Sequence, residues 1–347
     1  MKPIQTGIAS YGMSGSVFHA PFLDVNPGFE IHTIVERSKD NARKRYPSVN
    51  IVRSFEEMLA IPEIELVVVN TPDVTHYDYT KKALLAGKHV VVEKPFVFEV
   101  SEGEELIALA RKNNLQLCVY QNRRWDGDFL TVRQVIESGS LGRVVEFQSA
   151  FQRYRNFIME GTWKEQASRR VGMAYNLGAH MIDQAVVLFG TPEAVYADID
   201  HLRDNSPVDD YYNIQLIYPQ VKVQLRAGYL MREETPRYYV HGTLGSFVKY
   251  GLDPQEEMLK AGAVPGGANW GAEKEADWGL LNTDINGLHF KGKVETIKGD
   301  YAAFYNHIFN VLRKGEQPLT AASEVITTIR IIEAAFESSE TRQVVRI

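Results

Sequence analysis

Short apolar runs punctuate the first 120 residues, at 4–9, 31–35, 66–70, 89–93 and 115–120. Val and Ile dominate them, and polar residues rarely alternate with the apolar ones. Strands buried on both faces of a parallel sheet read this way. Between the runs lie helical patterns, among them 75–86 and 101–113. Gly87 follows the first as a C-terminal stop. Ser101 with Glu104 three residues on opens the second as a capping box. Strand–helix alternation of this kind predicts a doubly wound α/β domain.

The pattern changes after residue 122. A helical stretch at 128–138 is followed by strands at 144–154, 211–218, 221–229 and 237–240, in which polar and apolar positions alternate. Alternation predicts a mostly antiparallel sheet with one face buried. A helix over 175–189 interrupts the sheet, and helices over 301–313 and 322–338 follow it. The stretch 262–293, rich in Gly, Trp, Asn and Asp, has weak periodicity and reads as a long loop. The expected organisation is an N-terminal doubly wound α/β domain, 1–122, and a C-terminal α+β domain, 123–347, with a mostly antiparallel sheet.

A length of 347 residues agrees with two domains. Lys and Arg number 38 against 44 Asp and Glu, a formal charge of −6, which disfavours a nucleic-acid partner. The lone cysteine, Cys118, excludes an internal disulfide and a multi-cysteine zinc site, and its apolar run makes it a buried, inert thiol. No metal is expected. With no signal-peptide core and no run of roughly 18 apolar residues, a cytoplasmic protein with no membrane partner is expected.

The first run leads into Gly7-Ile8-Ala9-Ser10-Tyr11-Gly12-Met13-Ser14-Gly15. A dinucleotide fingerprint places G-x-G-x-x-G between a strand and a helix. Ser10 stands for the first glycine, Gly12 allows a pyrophosphate to approach the backbone, and Gly15 allows close helix packing. Ser10, Gly12, Ser14 and Gly15 are therefore the candidate phosphate-side residues. About 20 residues on, Glu36 stands where a carboxylate would bind the adenosine ribose of NAD. Arg37 and Ser38 follow at once and could hold the 2′-phosphate of NADP. The carboxylate leans the reading toward NAD; both cofactors stay open.

Two further clusters carry chemistry. Glu93-Lys94-Pro95 closes a strand, and ligands bind outside the carboxyl ends of strands in this architecture. On the predicted helix, Asn176, His180 and Asp183 fall at i, i+4 and i+7 and share one face, an unusual polar stripe beside a packing face.

With these motifs, together with Asn70-Thr71-Pro72 and His76, the sequence resembles the Gfo/Idh/MocA family of nicotinamide-dependent sugar and polyol oxidoreductases over essentially its whole length. Residues 14–21, which include Phe18-His19-Ala20-Pro21, and 120–126 resemble the branch containing NADP-dependent scyllo-inositol dehydrogenase; so do Arg237-Tyr238 and residues 247–251. The resemblance implies an N-terminal Rossmann domain and a C-terminal α+β domain with a large open sheet, an active site between the two, and subunit contact through the open sheet, as a homodimer or homotetramer. It implies Lys94 and His180 as catalytic residues, and Thr71, Pro72, His76, Glu93 and Lys94 on the cofactor. Asn122, Arg123, Tyr154, Trp163, Asn176 and Asp183 are the candidates for gripping a polyhydroxylated substrate. The family commonly has aspartate at the place of Asn176; an amide binds a hydroxyl but takes no proton, which shifts acid–base work to His180 and Lys94. The expected activity is hydride transfer between NAD or NADP and a secondary alcohol of a cyclic polyol or sugar. A non-enzymatic NAD(P)-binding regulator and a redox-neutral sugar-processing enzyme are the alternatives on the same fold.

Overall fold

The computed structural model describes residues 1–161, 165 and 171–347. The chain forms two compact units. The first comprises Met1–Asn122, Gln255–Trp270 and Asp300–Ile326; the second comprises Arg123–Pro254, Gly271–Gly299 and Thr327–Ile347. A single cut after residue 122 does not describe the two later returns of the chain to the first unit.

Six parallel strands build the core of the first unit: β1 (Ile4–Ile8), β2 (Phe29–Val35), β3 (Asn50–Val52), β4 (Leu66–Val69), β5 (His89–Val92) and β6 (Leu117–Val119), in the order β3-β2-β1-β4-β5-β6. All four residues of β4 are buried, as the unbroken apolar run requires. The short edge strand β3 has too few apolar positions to stand out in the sequence. Helix α1 (Ala20–Val25) continues a π-helical turn, Ser14–His19. Helices α2 (Phe55–Leu59) and α3 (His76–Leu85) follow, and Gly87 closes α3 at φ +74°. Helix α4 (Val100–Lys112) starts one residue earlier than its sequence suggests. Its capping box is Glu99 with Glu102, and Ser101 and Glu104 lie inside the helix. Glu99 has extended φ and ψ and its carboxylate meets the helix amide, so the longer side chain takes the cap. Helix α5 (Gly127–Glu137), in the second unit, lies where the sequence places it.

The second unit contains a nine-stranded sheet built from β7 (Val144–Gln152), β8 (Ala194–Asp200), β9 (Tyr211–Ile217), β10 (Lys222–Gly228), β11 (Tyr238–Gly242), β12 (Gly245–Lys249), β13 (Gly279–Ile285), β14 (Leu288–Val294) and β15 (Val345–Arg346). The order is β14-β13-β12-β11-β7-β10-β9-β8-β15. Pairing is antiparallel except between β7 and β10, which run parallel. Along β7, Phe147, Ser149 and Phe151 are buried while Glu146, Gln148 and Gln152 are half-buried. The buried face carries α6 (Ala179–Phe189), whose Phe189 meets Phe147 edge-on at 5.3 Å. It also carries α7 (Ala322–Thr341), whose Ser338 hydroxyl accepts from the Ala197 amide.

The expected loop at 262–293 is overturned. It contains β13 and β14, joined by a two-residue turn at Asn286-Gly287 with φ of 50° and 81°. Asn-Gly is the dipeptide that favours such a turn. The hairpin is missed because β14 is largely exposed and lacks an apolar face.

Among the described residues, no group of His, Cys, Asp or Glu is placed to hold a metal ion, and no helix is long and apolar enough to cross a membrane. Cys118 is buried, and burial pushes its thiol up to about 12.

Candidate active site

In the first unit the carboxyl ends of β1, β4 and β5 converge where the strand order reverses, the crevice in which doubly wound sheets bind ligands. The turn after β1 is held by Asn70 at the end of β4. Its side-chain oxygen accepts from the Ser10 amide at 3.0 Å, and its side-chain nitrogen donates to the Ser10 carbonyl at 2.8 Å. A Cβ on Gly15 would lie 2.0 Å from the Ser10 carbonyl oxygen and 2.7 Å from the Asn70 amide, so this close packing needs glycine. A Cβ on Gly12 would meet no protein atom closer than 3.5 Å, and Gly12 is exposed. The turn therefore has an open cradle in front of a helix start, whose first N–H groups lack intrahelical acceptors. These residues fit a dinucleotide phosphate group.

Lys94 follows β5 and is half-buried, with a cis peptide to Pro95. Beside it the Glu93 carboxylate accepts from the Ser14 hydroxyl, from the His19 ring at 3.0 Å and from the Lys94 amide at 3.2 Å. Burial disfavours the Glu93 anion, but these donors and the charges of His19 and Lys94 outweigh it and bring its pKa down to about 2. Ser14 thus spends its hydroxyl on Glu93, and only its backbone is left for a phosphate.

Two other expected cofactor ligands face inward. Glu36 is buried; its two oxygens accept from the Asn41 and Ala42 amides at 3.1 and 2.9 Å. It staples the loop after β2, whereas Arg37 and Ser38 are exposed. His76 is buried at the start of α3, with its ring nitrogens 2.7 Å from the Pro95 carbonyl and 3.0 Å from the Thr71 carbonyl. It ties together the turns after β4 and β5. Thr71 is half-buried, its hydroxyl 2.6 Å from that of Thr75, and Pro72 is exposed. Asn122 is buried at the end of the unit's first segment.

The second unit holds the His180 helix. A π-helical turn, Ala174–Gly178, runs into α6, and such turns recur at functional sites. The buried Asp209 carboxylate accepts from the Ala174 amide at 2.7 Å and its carbonyl from the Met173 amide at 2.9 Å, fixing the helix start. Burial raises the Asp209 pKa, and the Ala174 amide opposes this in part. Asn176 is half-exposed and His180 is 4% exposed. Asp183 does not stay on an open polar stripe. Arg124 donates to both its oxygens at 2.7 Å, and both side chains are largely buried. Its acid group is an anchor for α6.

Arg123 pairs with Asp126 at 3.0 Å and lies 5.3 Å from the Phe151 ring centre. Tyr154 is 46% exposed, with the Arg232 guanidinium 4.1 Å from its ring centre. Trp163 lies outside the described residues.

Both stretches of the chain are covered by family models. A model described as the oxidoreductase family's NAD-binding Rossmann fold matches residues 4–121, and one for its C-terminal alpha/beta domain matches 133–347. The chain belongs to the Gfo/Idh/MocA oxidoreductase family. This family member is 39% identical to scyllo-inositol 2-dehydrogenase (NADP(+)) IolW of Bacillus subtilis, over 99% of its own length and 96% of that protein. It is 38% identical to the uncharacterized oxidoreductase YdgJ of Escherichia coli, over 98% and 97%. Among solved structures, a putative oxidoreductase from Bacteroides fragilis has 53% identity and a TM-score of 0.93, with both chains wholly covered. The oxidoreductase thus carries an NAD(P)-binding domain.

Asn70, His19 and Arg124 of this oxidoreductase each lie inside a motif named above, but the bonds they make to Ser10, Glu93 and Asp183 leave no mark in the local pattern. Tyr305 and Asp209 carry no sequence signal, because only the tertiary fold brings them near.

Proposed function

We propose that this oxidoreductase transfers a hydride between NADP and a ring secondary alcohol of a cyclic polyol, an inositol or related sugar. The observation that carries the reading is the meeting of the Gly12 cradle, Asn70 and the Glu93-Lys94 turn at the reversal point of the parallel sheet. The similarity to a scyllo-inositol dehydrogenase supports the substrate class.

The backbone of residues 10–15 would hold the pyrophosphate, with Thr71 and Pro72 alongside. The nicotinamide supplies the two-electron hydride acceptor. The cofactor choice follows from Glu36. With its oxygens engaged by the Asn41 and Ala42 amides, it exerts less claim on a ribose hydroxyl, and exposed Arg37 and Ser38 remain to hold a 2′-phosphate. This reverses the lean toward NAD drawn from Glu36 alone.

Oxidation of an alcohol releases a proton, and the His180 imidazole accepts it from the substrate hydroxyl. Lys94 donates a hydrogen bond to the oxygen on which negative charge develops. The Asn176 amide orients a neighbouring hydroxyl without taking a proton, and Arg123 and Asn122 are further candidates for gripping substrate. We further place the protein in the cytoplasm as a homodimer or homotetramer, with the half-exposed face of the nine-stranded sheet as the contact.

Absorbance at 340 nm with NAD⁺ or NADP⁺, across inositols, aldoses and anhydro-sugars, tests the reading. The expected result is turnover of a cyclic polyol with NADP⁺ preferred, abolished in Lys94→Ala and His180→Ala. Full turnover by Lys94→Ala with every accepted polyol would overturn the assignment.

A further inference from the structure

His19 lies in the Phe18-His19-Ala20-Pro21 motif, yet no role in the reaction above falls to it. Its side chain is completely buried. Nε2 is 3.0 Å from Glu93 Oε1, and Nδ1 is 2.6 Å from the Tyr305 hydroxyl. An ionised carboxylate only accepts, so Nε2 carries the proton and donates it. The ring also packs on Tyr120, 4.4 Å between centres. Glu93 in turn accepts from Ser14, in the glycine turn, and from the Lys94 amide. One carboxylate therefore joins the helix that opens the phosphate cradle to the turn that carries Lys94.

We propose that His19 is a positioning residue that, through Glu93, locks the glycine turn and the Lys94 turn in one register. The inference rests on the hydride-transfer reading for its catalytic consequence, and on geometry alone for the lock itself. The charged and titratable groups around the Glu93 carboxylate are His19 from the glycine-turn helix and Lys94 from its own turn, with Tyr305 and Tyr120 behind the imidazole. A buried carboxylate that loses a donor has its charged form disfavoured, and its pKa rises.

Two substitutions separate the lock from mere packing. A glutamine amide nitrogen reaches the place of Nε2, so His19→Gln keeps the bond to Glu93. An asparagine amide nitrogen falls near Nδ1, so His19→Asn loses it. Neither variant titrates at position 19, so the stability gap between them reports Glu93. In His19→Gln the carboxylate keeps this donor, the Ser14 hydroxyl and the charge of Lys94, so its pKa stays the lower of the two variants and its stabilising contribution is present above the unfolded value of about 4.3. In His19→Asn the folded pKa rises and that contribution shrinks. Urea unfolding of the cofactor-free protein should show His19→Gln the more stable at pH 7, with the gap narrowing as pH falls from about 4 toward the depressed Glu93 value of about 2. In turnover, His19→Asn should lose about tenfold to a hundredfold in kcat with KM for the polyol unchanged, while His19→Gln stays within about threefold of the original protein. Equal behaviour of the two variants, with a stability gap independent of pH, would overturn the proposal. If the unaltered protein turns over no polyol, the hydride-transfer reading fails by itself, and the pH-dependent gap still decides the lock.

Discussion

Asp183 is the most informative place to perturb the second unit. Its carboxylate is 3% exposed and receives two hydrogen bonds of 2.7 Å from Arg124, itself 13% exposed. An exposed pair of this kind would be worth about 0–1 kcal/mol. Burial changes the size of the effect: removing one partner strands a charge that has already left water, which costs about 3–5 kcal/mol. Arg124→Met keeps the length of the stem and removes the guanidinium. It should therefore lower the urea midpoint by roughly 1 M or more, taking m near 3 kcal/mol/M. Replacing both residues, Arg124→Met with Asp183→Leu, removes the stranded charge and should recover most of the loss. Circular dichroism and tryptophan fluorescence followed together reveal whether the two units unfold separately. His180 lies one helical turn before Asp183, so turnover should fall in the single variant and partly return in the double. A cost below about 1 kcal/mol for Arg124→Met, or a double variant as unstable as the single, would refute the buried-anchor reading.

The remaining expectations concern the first unit. Glu36→Ala removes the acceptor of two loop amides and should cost about 1–3 kcal/mol in thermal unfolding while leaving the NADPH dissociation constant within about twofold. Arg37→Ala should weaken NADPH roughly tenfold and leave NADH unchanged, read by cofactor fluorescence; the reverse pattern in these two variants would restore Glu36 as the ribose ligand. Gly15→Ala places a methyl 2.0 Å from the Ser10 carbonyl oxygen, so about 1–3 kcal/mol of overpacking and a sharp loss of cofactor affinity are expected by calorimetry. Native Cys118, with its pKa pushed up to about 12, has roughly one thiolate in ten thousand at pH 8 and should resist a disulfide reagent until urea unfolds the chain. Rapid labelling of the native protein would contradict its burial.

The parallel domain is legible in the chain, because strands buried on both faces must be written as unbroken Val and Ile runs, and β4 and β5 are written so. It also placed the glycine turn, Lys94 and His180, since turn chemistry and helical spacing are local. It could not show where a polar side chain spends its hydrogen bonds. Glu36 stands where a ribose ligand belongs, and five residues of loop bring two amides to it first. Asp183 shares a helical face with His180, and an arginine 59 positions away claims it. His76 sits in a cofactor motif, and two carbonyls take its ring. The hairpin at Asn286-Gly287 escaped because an exposed strand has no apolar face to betray it. These partnerships arise in the folded molecule, since a buried polar group takes the nearest competent partner in space, and that partner's distance along the chain leaves no mark in local pattern.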